Sequence, residues 1–428
     1  MLLKRLCTWM VIALVAPLAL AEEDYIPDAT LSVAKLVKTW QLRLPLEADQ
    51  RLVDLYLVDD QVYATTNDGF VFAIHAPTGA NRWLRRAAQE GYRIRRPCHV
   101  GERAVFVSPT TILQVDRRYG DGISKTELRF AAGTGAITDG VRLIIGGLDR
   151  RVYAIDAANP LYSWKSITNA PITSTPALYN GSLFVASSDG TVYSCTAEKK
   201  AFRWQTSTYS SITADLVADE GGVYVASRDN SLYLYDLLFG EIRWRARFSG
   251  PLYEAPVLAG DRAYQFCPDD GLVAVNTSVI GIDERFQWKL PRGRTLLTID
   301  EKYAYILSQD ETVLVVGLED GQIVHTIAVA GFTITAPDSA ETVLYLANPD
   351  GRIFCARPVG APIVQRSDLR AALNPPAEEA ESAAAGADTA AAPEEKTPDL
   401  LQTSRRGAPL GGKSKVSKEF GKSGGARP

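Results

Sequence analysis

Between residues 36 and 365 the chain alternates apolar and polar side chains with a period of two. The runs are short and are broken by Gly, Asn, Asp and Pro. Such alternation, rich in β-branched and aromatic residues, predicts half-buried strands rather than helices. One stretch reads Val62-Tyr63-Ala64-Thr65-Thr66-Asn67-Asp68-Gly69-Phe70-Val71-Phe72-Ala73-Ile74, then Thr78-Gly79, then Trp83. Leu183 to Tyr193 followed by Trp204, and Val223 to Tyr233 followed by Gly240 and Trp244, repeat it. Asp-Gly or Asp-Asn between two runs predicts a hairpin turn, because Gly and Asn accept positive φ at little cost. A second Gly, at 79, 120, 240 and 321, marks the next turn. A further strand is expected to end in Thr175-Pro176-Ala177, Ala255-Pro256-Val257 or Ala336-Pro337-Asp338. Four antiparallel strands per unit of about forty residues, repeated around an axis, make a β-propeller.

The tryptophans count the blades. Trp83, Trp164, Trp204, Trp244 and Trp288 recur at multiples of about forty residues, and alignment of the turns puts Ser124 and His325 where two further Trp would stand. An eighth set of inner strands, Thr333 to Cys355, has no Trp after it. Trp40 stands alone near the start, in Leu36 to Leu44. The expected fold is therefore all-β: an eight-bladed propeller of four-stranded antiparallel blades, the last completed by the N-terminal strand. Closure of the ring removes exposed sheet edges. A Trp recurring once per repeat is explained by packing between blades, since each buries roughly 150–250 Å². The other reading is a stacking platform for a flat cofactor.

Both ends differ from the repeats. Residues 1–21 resemble an export signal: Lys4 and Arg5, an apolar stretch from Trp9 to Leu20, then Ala19-Leu20-Ala21 before acidic residues. An uncleaved membrane anchor is the alternative. Residues 22–35 form a lead segment and 36–365 the propeller. From Arg366 to Pro428 Ala, Pro, Glu, Gly and Ser dominate, a composition that predicts a disordered tail. Its basic end, Arg405 to Arg427, could meet an anionic membrane or cell-wall polymer. The formal charge of -4 argues against a nucleic-acid-binding body. The expectation is an exported, periplasmic or cell-envelope protein that acts as a monomer.

The stretch from Phe70 through Thr78-Gly79 to Trp83, and Val152-Tyr153-Ala154-Ile155-Asp156 with Trp164, resemble the propeller repeat of the pyrroloquinoline-quinone (PQQ) type. WD40 repeats share the period, but their Gly-His and Trp-Asp signatures are missing. The resemblance spans about residues 36 to 358 and points to two branches. Quinoprotein dehydrogenases would imply PQQ with calcium, an adjacent Cys pair and an acidic base; no two cysteines here are adjacent. The B subunit of the outer-membrane β-barrel assembly machinery (BamB) would imply a non-enzymatic scaffold for envelope proteins. The absent lipid-anchor cysteine and the added tail depart from that pattern.

Catalytic machinery is sparse. Cys98, Cys195, Cys267 and Cys355 fit buried apolar positions better than disulfides, and alignment puts Cys195 and Cys355 one residue out of register, facing opposite ways. His75, His99 and His325 read as turn or outer-strand residues. Propeller ligands sit at the channel mouth, which selects Ser174, Asp215, Glu254 and Thr335 as candidate binding residues. Asp215 and Glu254, from adjacent blades, could hold a cation or act as acid and base. Arg85, Arg86, Arg93, Arg95 and Arg96 read as a solvated connection between the first two blades, or as a surface for an acidic partner. The expected function is an interaction platform with no catalytic residues, cofactor or metal.

Overall fold

The computed structural model describes residues 24–159, 163–198, 201–278, 285–337 and 342–361. The expected signal over 1–21 and tail over 366–428 lie outside them. Eight four-stranded antiparallel sheets form blades 1 to 8. The first seven span 52–86, 98–127, 132–167, 177–207, 217–247, 257–290 and 293–328, and each lays its strands side by side in chain order. Blade 8 combines 334–358 with Leu36–Arg43, which pairs antiparallel with Arg352–Pro358 and sets Trp40 opposite Cys355. The all-β eight-bladed architecture and its N-terminal outer strand are as the alternation implies.

Two details differ from expectation. Pro176 and Pro256 stand just before the inner strands Ala177–Tyr179 and Val257–Ala259 rather than at a strand end. Proline lacks the N–H that a ladder position needs, so it sits at the entrance. His99 lies on Cys98–Val100, the innermost strand of blade 2. That strand is only three residues long and follows Pro97, so its pattern resembles a turn.

Alternating strand direction sorts the connections. Links from first to second and from third to fourth strand open on one side, the turn face. Links from second to third strand, and from blade to blade, open on the other, the loop face. Middle strands are covered on both sides: Gln61–Thr66 and Gly222–Ser227 are buried at every position. The core is thus a set of inter-blade seams rather than one centre. Cys195 packs with Ile144 and Val152 of blade 3, whereas Cys355 packs with Val62 and Phe72 of blade 1. The two do face opposite ways. Burial pushes the Cys98 and Cys195 thiols up to about 12.

One contact recurs at the seams. Each of the six Trp indole N–H groups among the described residues donates to a carbonyl in the third-to-fourth turn of the next blade. The acceptors are Ala76 for Trp40 (2.8 Å), Arg117 for Trp83 (2.9 Å), Ala197 for Trp164 (2.9 Å), Leu237 for Trp204 (3.2 Å), Thr277 for Trp244 (3.2 Å) and Leu318 for Trp288 (3.0 Å). Three residues beyond four of these carbonyls stand Gly79, Gly120, Gly240 and Gly321, all at positive φ. A Cβ on Gly240 would lie 2.5 Å from the Trp204 ring, and one on Gly120 2.6 Å from Trp83. Glycine is required there both for the turn and for the ring laid on it.

The two blades without Trp solve the seam differently. In blade 2, Gln114 lies opposite Ser124, and its buried side-chain amide donates to Ala157 O at 2.9 Å, the corresponding carbonyl of blade 3. Blade 7 carries His325 opposite Val315. Its neighbour, blade 8, has no third-to-fourth turn to receive an indole, because its outer strand arrives from the other end of the chain. The lead segment fills this seam: a short helix, Asp28–Val33, and its flanks bring Ile26, Leu31 and Ala34 against Ile327, Val329 and Phe332.

Two substitutions test these seams by denaturant unfolding. Gly240→Ala should lower stability by about 2–3 kcal/mol, through strain at positive φ and overlap with Trp204. Gln114→Leu should cost about 1–3 kcal/mol by leaving a buried carbonyl unpaired.

Candidate functional site

The channel mouth on the loop face carries the polar residues singled out above. Ser174 is buried, and its hydroxyl donates to Ala214 O at 2.5 Å. The adjacent Thr175 N–H donates to Asp215 Oδ1 at 2.7 Å. Blades 4 and 5 are thereby joined at their inner edge. Glu254 faces the other way and takes the Arg294 guanidinium on both carboxylate oxygens, one at 2.8 Å. Arg294 rises from the inner strand Gly293–Ile299 of blade 7 and lies 4.0 Å over the Phe266 ring. Thr335, half-buried, ends the inner strand of blade 8.

These contacts tie Ser174 to the loop carrying Asp215 and commit Glu254 to Arg294. No hydrogen bond joins Asp215 to Glu254 among the described residues. Within the same residues no group of three or more His, Cys, Asp or Glu side chains is placed to hold a metal ion. The Trp rings lie at the seams. Among the described residues the two candidate carboxylates, Asp215 and Glu254, are thus engaged separately.

Arg85 and Arg86 lie on the outer strand of blade 1 rather than in the connection between blades 1 and 2, and the arginine-rich stretch is held to the body. Arg93 reaches Asp54 with two nitrogens, one at 2.8 Å, Arg96 donates to Leu57 O at 2.8 Å, and Arg85 donates to Gly120 O at 2.6 Å. On the turn face of the same two blades lies a constellation the spacing of single residues did not show. His99 sits between Asp59, 2.7 Å from Nδ1, and the Tyr63 hydroxyl, 2.7 Å from Nε2. Arg117 lies 3.6 Å from Asp59, 3.5 Å from Asp60 and 3.2 Å from Glu102. Burial holds the Tyr63 phenol well above its usual range, and its ring is fully covered. This network welds a seam and offers a substrate no access to the phenol.

A second feature went unread in the sequence. The loop face of blade 5 exposes Tyr209, Arg228, Arg245, Arg247 and Tyr253 around one turn. Tyr209 is 83% exposed. The Arg245 guanidinium lies 5.2 Å from the Tyr209 ring and 5.1 Å from the Tyr233 ring, and Arg228 lies 5.3 Å over Tyr253. Asp229, at the tip of the turn, accepts from Tyr209 N–H at 2.9 Å and from the Tyr233 hydroxyl at 2.7 Å.

Comparison with known proteins agrees with the geometry. The family model described as outer membrane protein assembly factor BamB matches residues 108–214 and 198–283. The crystal structure of BamB from Moraxella catarrhalis is similar, with a TM-score of 0.60 and 17% identity over 75% of this chain and 99% of that one. A computationally designed protein, Ika8, is similar at TM-score 0.59 and 13% identity, over 74% and 98% of the two chains. No curated protein matches the chain. The fold is a PQQ-like propeller of the BamB kind.

A carboxyl in a loop-face turn is expected to make the fold sensitive to acid. Burial opposes ionisation of Asp270, but Lys289 at 2.8 Å and the Ser249 N–H and hydroxyl outweigh it and hold the carboxyl below its usual range. A carboxylate depressed in the folded state contributes stability above its unfolded value, about 4, and loses it as pH falls through the folded value. Asp270→Asn should therefore lower the melting temperature at pH 7 and flatten its fall between pH 5 and 3.

Proposed function

We propose that this protein is a non-enzymatic scaffold of the cell envelope, BamB-like in role, which holds partner proteins on its loop face during outer-membrane protein assembly or a related task. One contrast carries this reading. At the channel mouth Ser174, Asp215 and Glu254 are committed to the backbone and to Arg294, whereas Tyr and Arg side chains stand exposed on the surrounding rim. An enzyme needs unspent acid, base or nucleophile in a cleft. A binding platform needs aromatic and guanidinium anchors at the surface, the residue types that dominate interfaces. The family match and the likeness in fold support the same class.

On this reading the chain is exported to the periplasm, works without PQQ or calcium, and meets the anionic membrane or cell wall, if at all, through the basic residues 404–428. No helix of the described residues is long and apolar enough to cross a membrane, which accords with a protein working beside the bilayer.

The experiment is site-specific photo-cross-linking in cells, with the photoreactive residue at Tyr253 on the loop face and, as a control, at Glu301 on the turn face. Adducts with components of the outer-membrane assembly machinery from position 253 alone are the expected result. Purified protein given PQQ, calcium, a primary alcohol and an electron-accepting dye should show no turnover. Dye reduction in that assay would replace the scaffold with a quinoprotein dehydrogenase.

A further inference from the structure

We infer that the loop face of blade 5 is a docking site for a carboxylate-rich segment of a partner polypeptide. The inference rests on the scaffold reading and names the chemistry of its partner.

Arg228, Arg245 and Arg247 are exposed on one blade, at its second-to-third turn and the adjoining end of its outer strand. None of them forms an ion pair among the described residues, whereas at blade 7 Arg292 and Arg294 pair with Asp310 and Glu254. The carboxylate nearest in sequence, Asp229, is occupied by Tyr209 N–H and the Tyr233 hydroxyl. Three cations are thus left without a carboxylate. Arg245 is held in place all the same: its ring contacts with Tyr209 and Tyr233 and a 2.9 Å bond from Nε to Ser231 Oγ leave the remaining guanidinium N–H groups for a ligand. Arg228 is likewise laid on Tyr253. Guanidinium groups fixed on aromatic faces present paired N–H donors, the geometry that carboxylates accept bidentately.

The aromatic component sets the class of ligand. Tyr209 and Tyr253 expose ring surface beside the cations, which suits side chains flanking a carboxylate more than a bare phosphate. A short acidic peptide segment with aromatic residues satisfies both the cations and the rings. Blade 5 alone carries this set: at the position of Arg228 the other blades have Asn67, Pro109, Leu148, Ser188, Pro268, Gln309 and Pro349.

The test uses the full chain and a fluorescent synthetic peptide of alternating Glu and Tyr, with a Lys–Tyr peptide and vesicles containing phosphatidylglycerol as parallel probes. The Glu–Tyr peptide should bind, more weakly as salt rises. Arg228→Glu with Arg245→Glu should weaken binding at least about tenfold, as reversal of interface charges does. Arg292→Glu, on the same face, should leave binding within about twofold. Because charge reversal can disturb folding, Arg228→Gln and the exposed Tyr209→Ala are measured beside it, each with unchanged melting temperature and weakened binding. Equal binding by the reversed variant, equal binding of the Lys–Tyr peptide, or arginine-dependent binding of vesicles but not of the acidic peptide would each overturn the inference. If the inference alone fails, cross-linking from position 253 still yields assembly components; if the scaffold reading fails, those adducts are absent.

Discussion

The ring depends on one contact, an indole laid across a glycine turn of the next blade with its N–H on that turn's carbonyl. A propeller blade buries most of its area against two neighbours, and apolar surfaces slide over one another with little preference for register. A hydrogen bond at 2.8–3.2 Å, repeated from Trp40 to Trp288, fixes the height and rotation of each blade against the next. At the four turns that carry Gly79, Gly120, Gly240 and Gly321 the glycine makes the fit exclusive, because a Cβ there would overlap the ring.

The two exceptions show what the contact is for. Gln114 supplies a donor from the third strand where the fourth has only Ser124, so the carbonyl is satisfied although the ring is missing. At blade 7 the corresponding carbonyl of blade 8, Pro358 O, accepts from Ala361 N–H at 3.1 Å, and apolar residues of the lead helix and its flanks fill the seam in place of the indole. The chain therefore closes with its N-terminal strand as the outer strand of blade 8 and its N-terminal helix in the neighbouring seam, and both ends of one closing segment bear on the same blade.

Strands, turns and blade number were legible because each is written locally and then repeated: period-two alternation, a positive-φ residue at a fixed place, one Trp per unit. What was not legible depends on pairs. His99 meets Asp59, Thr175 meets Asp215, and Arg294 meets Glu254, each at a separation of 40 residues, and Arg93 meets Asp54 at 39. Neighbouring blades bring together positions one repeat apart. Pairing each charged residue with the residue one period away would have matched His99 with Asp59, and would have set Glu254 against Arg294 before Asp215. Gln114 and the Tyr209–Arg245 contact follow from cross-strand register and loop course, which carry no repeated signature.

The same pairing decides how the two faces of the question, chemistry and contact, divide. Charged groups at the inner edge of a seam are brought within reach of a partner one repeat away, and folding consumes them: Asp215 caps a backbone N–H and Glu254 holds an arginine. Groups toward the rim diverge as the blades fan out, so a cation there is less readily neutralised by its neighbour. Arg228, Arg245 and Arg247 occupy that zone, and the first two are laid on tyrosines instead of being paired with carboxylates. The radial geometry commits Asp215 and Glu254 at the channel mouth and, among the described residues, leaves Arg228, Arg245 and Arg247 at the periphery without carboxylate partners, a division that supports the scaffold reading proposed above.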